Sequence, residues 1–372
     1  FDKNSNKFEK IILILKEMFK MKGKKFVIAL SIISILGAFT GCGPNQGASQ
    51  NSGSSTKSEG ETVRVGFFPN ITHSQALVGK EQGTFQKALG DKTKIEWKQF
   101  NAGSSEIEAF LAGALDIGYI GPGPAINGYA KSKGDIQIIA GATDAGAILV
   151  SRKDLPIKDV KELAGKKVAV PQFGNTQDLS LRYLLTQNGL KDKTKGGTVE
   201  IVQADNPDIK TLLDRKQIDA ALVPEPWGSR LVKEVGANVV LDYDKVWREG
   251  KYPTAVIIVR KEFLEKHADT VEKFLKAHVD LTEYINKNNS EASDIVNKQI
   301  KDLTKSSLAK DVLDSAFKRL TVTNNPEKDA TIEMVNLSVT TGFLKQAPDT
   351  KGLVNLELLN KVLKEKGQSQ IQ

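Results

Sequence analysis

The sequence predicts an α/β protein built as two similar lobes. Three observations carry that prediction. First, a short β-rich run, a turn and a helical stretch follow one another twice: residues 62–67 (TVRVGF) with Phe68-Pro69-Asn70, then residues 167–170 (KVAV) with Pro171-Gln172-Phe173-Gly174. Second, each unit continues with an apolar-periodic helix, an aspartate and a strand that runs into proline. In the first unit these are residues 106–114, Asp116, residues 117–120 and Pro122; in the second, residues 208–214, Asp219, residues 220–223 and Pro224. Third, the spacings agree, with 51 positions from Val65 to Asp116 and 49 from Val170 to Asp219. Strands alternating with helices imply parallel α/β layers.

The helical stretches after the two turns are expected at about 72–89 and 176–187. Asp116 and Asp219, in apolar surroundings before strands, read as turn formers. Residues 254–260 (TAVIIVR) form a further β-branched strand, and the chain then reads as helices, with Phe263, Leu264, Val271, Phe274 and Leu275 at helical spacing over 262–281. Further helices are expected near 291–303, 308–319, 329–345 and 355–366. No Gly/Ser/Pro linker separates strand from helices, so the strand reads as a return to the first lobe with the helices packed on it. The expected division is 61–150 plus 251–372 for lobe 1 and 151–250 for lobe 2.

The net charge of +8 is unevenly placed, with eight lysines against Asp2, Glu9 and Glu17 in residues 1–42. Five of the eight net charges therefore lie there. The remainder shows no basic stripe with interleaved aromatics, which argues against a nucleic-acid partner. Lys22, Lys24 and Lys25 precede an apolar run over 26–39 that Thr40-Gly41-Cys42 closes. That is the order of a secretory signal, and the run of about 14 residues is short of the roughly 20 that a spanning helix needs. Cys42 is the only cysteine, so no intrachain disulfide and no thiolate-built metal site can form. The ending Phe39-Thr40-Gly41-Cys42 resembles a bacterial lipobox, with Phe39 where that motif has Leu; it implies lipidation of Cys42. Residues 43–60 (GPNQGASQNSGSSTKSEG) have the composition of a flexible tether. Residues 1–20 precede a complete signal that opens at Met21, and Lys16-Glu17 could be a translated ribosome-binding stretch; the expectation is an upstream translation artefact.

In open α/β sheets, ligands sit beyond the carboxyl ends of the strands, and the unusual residues of this sequence fall there. Asn70, Thr72 and His73 follow the first strand. Ser104 and Ser105 lie where the next helix opens, with Ser105-x-x-Glu108 fitting a capping box. Gly123 follows the strand after Asp116, and Thr143, Asp144 and Gly146 lie near the crossover. Asn175, Thr176, Gln177 and Asp178 begin the helix of the second lobe, and Glu225 and Trp227 follow its later strand. Glycine- and hydroxyl-rich helix starts present free N–H groups and a positive dipole end, which makes an anion cradle without Lys or Arg. Ser105, Asn175 and Thr176 also read as plain N-caps. Asp178 and Glu225 admit both helix capping and recognition of a cationic group on the ligand. His267 and His278, among Lys and Glu, read as solvated surface. Thr72, Ser105 and Thr176 are expected to border one common cavity.

The runs VGFFPNITHSQALVG, AGALDIGYIGPGPAING, VAVPQFGNTQDLSLRYLL and DAALVPEPWGSRL resemble substrate-binding proteins of nitrate, sulfonate, taurine and bicarbonate importers, most closely the aliphatic-sulfonate binders. The resemblance covers about residues 61–285. It implies a type II periplasmic-binding-protein fold, two Rossmann-like lobes that close on a ligand by hinge motion. It also implies an ABC permease and ATPase as partners, a small anionic solute, action as a monomer, and no cofactor, metal or catalysis. Enzymes that make the thiamine pyrimidine share the fold, but they resemble one another in a cysteine-rich segment that this sequence lacks. Walker A, G-x-S-x-G and HExxH motifs are also missing. A sensory domain would need a spanning helix and an output segment, and neither is read between the body and Gln372.

Overall fold

The computed structural model describes residues 61–372. The expectations for residues 1–20, the signal over 21–42 with Cys42, and the tether over 43–60 lie outside the described residues. Among the described residues there are eleven strands: β1 Glu61–Phe67, β2 Thr93–Gln99, β3 Ile117–Ile120, β4 Ile136–Ala145, β5 Ala147–Ser151, β6 Lys167–Val170, β7 Glu200–Gln203, β8 Ala220–Pro224, β9 Asn238–Leu241, β10 Pro253–Arg260 and β11 Leu320–Val322. They form a six-stranded sheet of order β11-β4-β10-β3-β1-β2 and a five-stranded sheet of order β7-β6-β8-β5-β9.

Each sheet has a parallel core of three strands, β2-β1-β3 in the first and β7-β6-β8 in the second. In both, the next strand is antiparallel: β10 beside β3 and β5 beside β8. The sheets are mixed because β4 runs straight into β5 and β10 lies between β3 and β4, so chain crosses twice between the two sheets.

The two aspartates show how far the repeat extends. The Asp116 carboxylate accepts from the Arg64 backbone N–H at 2.9 Å, and Asp116 N–H donates to the Arg64 carbonyl at 2.9 Å. Asp219 and Lys167 form the same reciprocal pair, at 2.8 Å and 2.8 Å. Each aspartate thus fixes the register between paired parallel strands. Asp116 does more than the turn formation expected of it. Fully buried, it also takes side-chain bonds from Arg64 (2.7 Å) and Arg260 (2.7 Å), which tie β1, β3 and β10 together.

Helix bounds differ from expectation where local chemistry decides. The stretch 72–89 divides at Gly83, which takes φ +67° and ends helix Ser74–Gln82 before Thr84–Leu89 begins. The stretch 262–281 divides at His267 into Lys261–Lys266 and Ala268–Lys287. Phe274, Leu275, Val296, Leu313 and Leu359 from the C-terminal helices pack with Val63, Val65 and Ile257 on the first sheet. Helix Lys328–Thr340 is the exception. Its Ala330, Met334 and Val335 join the core shared with Leu149, Val168 and Leu222 of the second sheet. His278 is buried, not solvated: it lies on the apolar face of Ala268–Lys287 and bonds Tyr119 Oη and the Gly141 carbonyl, each at 2.9 Å.

Candidate functional site

Phe68 follows β1, Gly121 follows β3, Pro171 follows β6 and Pro224 ends β8, so four carboxyl ends from two sheets face one gap. A cavity of about 60 Å³ lies there. Asn70, Thr72, His73, Asn175, Thr176 and Gln177 line it, as the sequence led us to expect. No Lys, Arg, Asp or Glu is among its lining residues.

The donors come from helix starts. Ile71–His73 forms a single 3-10 turn ahead of helix Ser74–Gln82. Helix Gly103–Leu111 begins with Ala102 and Gly103 on the cavity wall, and helix Thr176–Gln187 begins with Thr176 and Gln177 there. Asn175 caps the latter, its Oδ1 accepting from Asp178 N–H at 2.9 Å. Such ends carry unpaired N–H groups and partial positive charge. Burial holds His73 neutral, its pKa lowered to about 3. Its Nδ1 accepts from Phe68 N–H at 3.3 Å, which places the ring proton on Nε2 as a further donor. The Phe68 ring stacks on it at 4.8 Å between centroids.

The two sides meet around the cavity. Gln172 Nε2 donates to Ser104 Oγ at 2.6 Å, and Ser104 N–H donates to Gln172 Oε1 at 3.2 Å. Gly123 N–H lies 3.4 Å from Thr176 Oγ1. A side-chain carbon on Gly123 would stand 2.9 Å from Thr176 N, so the approach needs glycine.

Several expected residues lie elsewhere. Ser105 is exposed inside its helix and donates to the Ala102 carbonyl at 2.8 Å. That helix starts at Gly103, so Ser105 is past the N-cap, forms no capping box and does not border the cavity with Thr72 and Thr176. Ser104 belongs to the rim. Thr143 supports the wall from behind, its hydroxyl donating to the Thr72 carbonyl at 2.8 Å. Gly146, at φ +74°, lies in the crossover and accepts from Glu225 N–H at 2.6 Å. Trp227 lines a second, larger space.

All three carboxylates expected near the cleft turn away from it. Asp178 accepts from Gly174 N–H (2.8 Å) and pairs with Arg182 (2.9 Å); burial raises its pKa to about 6. Glu225 accepts from Ser229 N–H (2.8 Å) and Oγ–H (2.9 Å) and faces Arg319 at 3.5 Å, with burial raising it to about 7. Asp144 is buried with Oδ1 unpartnered, and burial plus Glu327 push it up to about 9. Gln172, Asn206 and Thr254 line the cavity without having been singled out. The Asn206-Pro207 pair, a helix start with proline in its first turn, was a readable signal.

Among the described residues, no group of three or more His, Cys, Asp or Glu is placed to hold a metal ion. No helix among them is long and apolar enough to cross a membrane.

Comparison with known proteins places this architecture. The taurine-binding periplasmic protein of Escherichia coli is 30% identical over 215 residues, 58% of this chain and 64% of that protein. The chain thus spans less than two thirds of that relative's length. A putative aliphatic sulfonates-binding protein of Bacillus subtilis is 27% identical over 67% of this chain and 70% of its own. The crystal structure of the periplasmic aliphatic sulphonate binding protein of Escherichia coli superposes with a TM-score of 0.66 at 20% identity, over 79% of this chain and 92% of that one. The fold is therefore that of the type II periplasmic binding proteins. The model of the NMT1-like family matches residues 56–300, and the chain belongs to that family.

Proposed function

We propose that this protein is the extracytoplasmic solute-binding component of an ABC importer and that it captures an organic sulfonate between two closing lobes. The observation that carries the reading is a donor-lined cavity between the two sheets without a single charged residue on its wall. An anion held by helix starts gains ~0.3–1 kcal/mol per dipole, up to ~2 when partly buried. Each hydrogen bond to it adds about 1.5–3 kcal/mol. Four or five donors thus reach the roughly −8 kcal/mol of micromolar binding after entropic costs.

The wall also selects within the class. A free amino group on the ligand would seek a carboxylate, and Asp144, Asp178 and Glu225 are all engaged elsewhere or buried away. An alkanesulfonate fits this wall better than taurine. We assign residues 61–150 plus 251–372 to one lobe and 151–250 to the other, with Gly146 in the hinge. The ligand contacts are assigned to Asn70, Thr72, His73, Asn175, Thr176 and Gln177. The protein would act as a monomer, without chemistry of its own, tethered through lipidated Cys42 and docking on a permease with its ATPase.

A thermal-shift panel of alkanesulfonates, taurine, nitrate and bicarbonate tests this. At 100-fold excess over its Kd, a true ligand adds about 2.7 kcal/mol of stability. Alkanesulfonates are expected to give the largest shift; a flat response across the panel overturns the reading.

A further inference from the structure

Behind Pro224, which lines the cavity, one arginine joins the two sheets. Arg319 stands between helix Lys310–Phe317 and β11, the edge strand of the first sheet. Its Nε donates to Asp242 Oδ1 at 2.7 Å and its Nη2 to Oδ2 at 3.4 Å, and Asp242 directly follows β9 of the second sheet. Nη1 donates to Ser229 Oγ at 3.1 Å and lies 3.5 Å from Oε1 of Glu225, which directly follows β8. Ser315, on the helix before Arg319, accepts from the same nitrogen at 2.7 Å and fixes its aim. The Arg319 carbonyl meanwhile accepts from Gly146 N–H at 2.9 Å. Its backbone thus holds the crossover while its side chain, only 15% exposed, holds the second sheet. The neighbouring ion pair between the same two sides, Lys233 with Asp311, is 3.8 Å long between exposed side chains and contributes little.

We propose that Arg319 is a positioning residue that latches the cleft from behind, biasing the protein toward closure before any ligand is held. The latch presupposes the two lobes assigned above and sets how readily they close on the sulfonate. Lobes that close by hinge motion turn against each other, and hydrogen bonds weaken steeply when bent or stretched. The bonds from Arg319 to the second sheet therefore belong to one state of the cleft. The Ser104–Gln172 and Gly123–Thr176 contacts identify that state as the closed one. A guanidinium keeps its charge and its fork matches the Asp242 carboxylate, so lysine replaces it only in part. Losing one such charged bond shifts the closing equilibrium about tenfold. The affinity of a ligand held only by the closed cleft falls with the closed fraction.

Distances between spin labels on the two sides of the cleft, read by electron–electron double resonance, test it without a ligand. The labels go on Leu111→Cys and Phe173→Cys, both exposed positions, in the full chain carrying Cys42→Ser. The parent is expected to populate the short, closed distance. Arg319→Met moves the population to a longer distance, with the closed-to-open ratio falling about tenfold, and Arg319→Lys lies between them. Should Arg319→Met fail to fold, Asp242→Asn carries the comparison. That side chain is 41% exposed, and its loss of charge strands no buried group. A parent that shows only the long distance overturns the latch, as does an unchanged distribution in either folded variant. Saturating ethanesulfonate is expected to return the variants to the short distance. Failure of that step alone overturns the sulfonate reading and leaves the latch standing.

Discussion

Ser104 and Gln172 hold each other by two hydrogen bonds across the rim of the cavity, 2.6 and 3.2 Å long, although they belong to opposite sides of the cleft. Ser104 is exposed, and Gln172 is half-buried at the edge of the cavity wall. Two neutral hydrogen bonds in contact with water contribute about 1 kcal/mol to whichever state contains them. Gln172→Ala is therefore expected to speed ligand dissociation about fivefold, with the melting temperature of the free protein unchanged. Stopped-flow release measures it, and unchanged release would show that the clasp plays no part in closure.

Gly123 offers a sharper test of closure. Alanine there places a carbon 2.9 Å from Thr176 N and 3.0 Å from the Asn175 carbonyl carbon, backbone atoms that cannot swing aside. Alanine suits the helix Pro122–Lys131 in which Gly123 sits. Gly123→Ala should fold as well as the parent and lose at least tenfold in sulfonate affinity, measured by titration calorimetry. Affinity equal to the parent's would mean that the lobes bind without meeting at this point.

The duplicated aspartates should differ in cost. Asp116→Ala strands the Arg64 and Arg260 charges beside a buried site, a change typically worth about 3–5 kcal/mol. Asp219 is partly exposed and its Arg152 partner lies 3.5 Å away, so Asp219→Ala should cost about 1 kcal/mol. Chemical denaturation compares them. Burial opposes the charge on Asp116, but the bonds from Arg64 and Arg260 outweigh it and lower its pKa. The stability it supplies is present at neutral pH and is lost as pH falls below about 4.

Asp144 has the opposite sign. Its pKa is raised in the fold to about 9, so its contribution is full below the unfolded value near 4 and declines as pH rises between the two. Asp144→Asn should gain on the parent by on the order of 1 kcal/mol per pH unit over that window. Melting curves at pH 5 and pH 8 read this directly. A constant difference between parent and variant would show that Asp144 is ionised in the fold.

Much of this architecture was legible in the chain, and the reasons are local. Strand runs followed by glycine, proline and asparagine announce where backbone turns at the carboxyl ends of a sheet, and Asn70, Thr72, His73, Asn175, Thr176 and Gln177, expected there for that reason, line one cavity. What was not legible depends on distant partners. Glu225 turns from the cleft because Ser229 and Arg319, 94 residues away, receive it. Nothing near Glu225 announces Arg319. His278 was misread from its charged neighbours, although Phe274, Leu275 and Leu281 at helical spacing already placed it on the buried face. Ser105 was misread because a capping-box spacing does not say which residue starts the helix, and here Gly103 does.

The central claim is that an anion is held here by neutral donors alone. A crystal structure of the complex with ethanesulfonate tests it most directly. The sulfonate oxygens are expected about 3 Å from donors on Thr72, His73, Thr176 and Gln177, with no lysine or arginine in contact. A sulfonate paired with a cationic side chain, or seated anywhere other than between these two helix starts, would contradict the account.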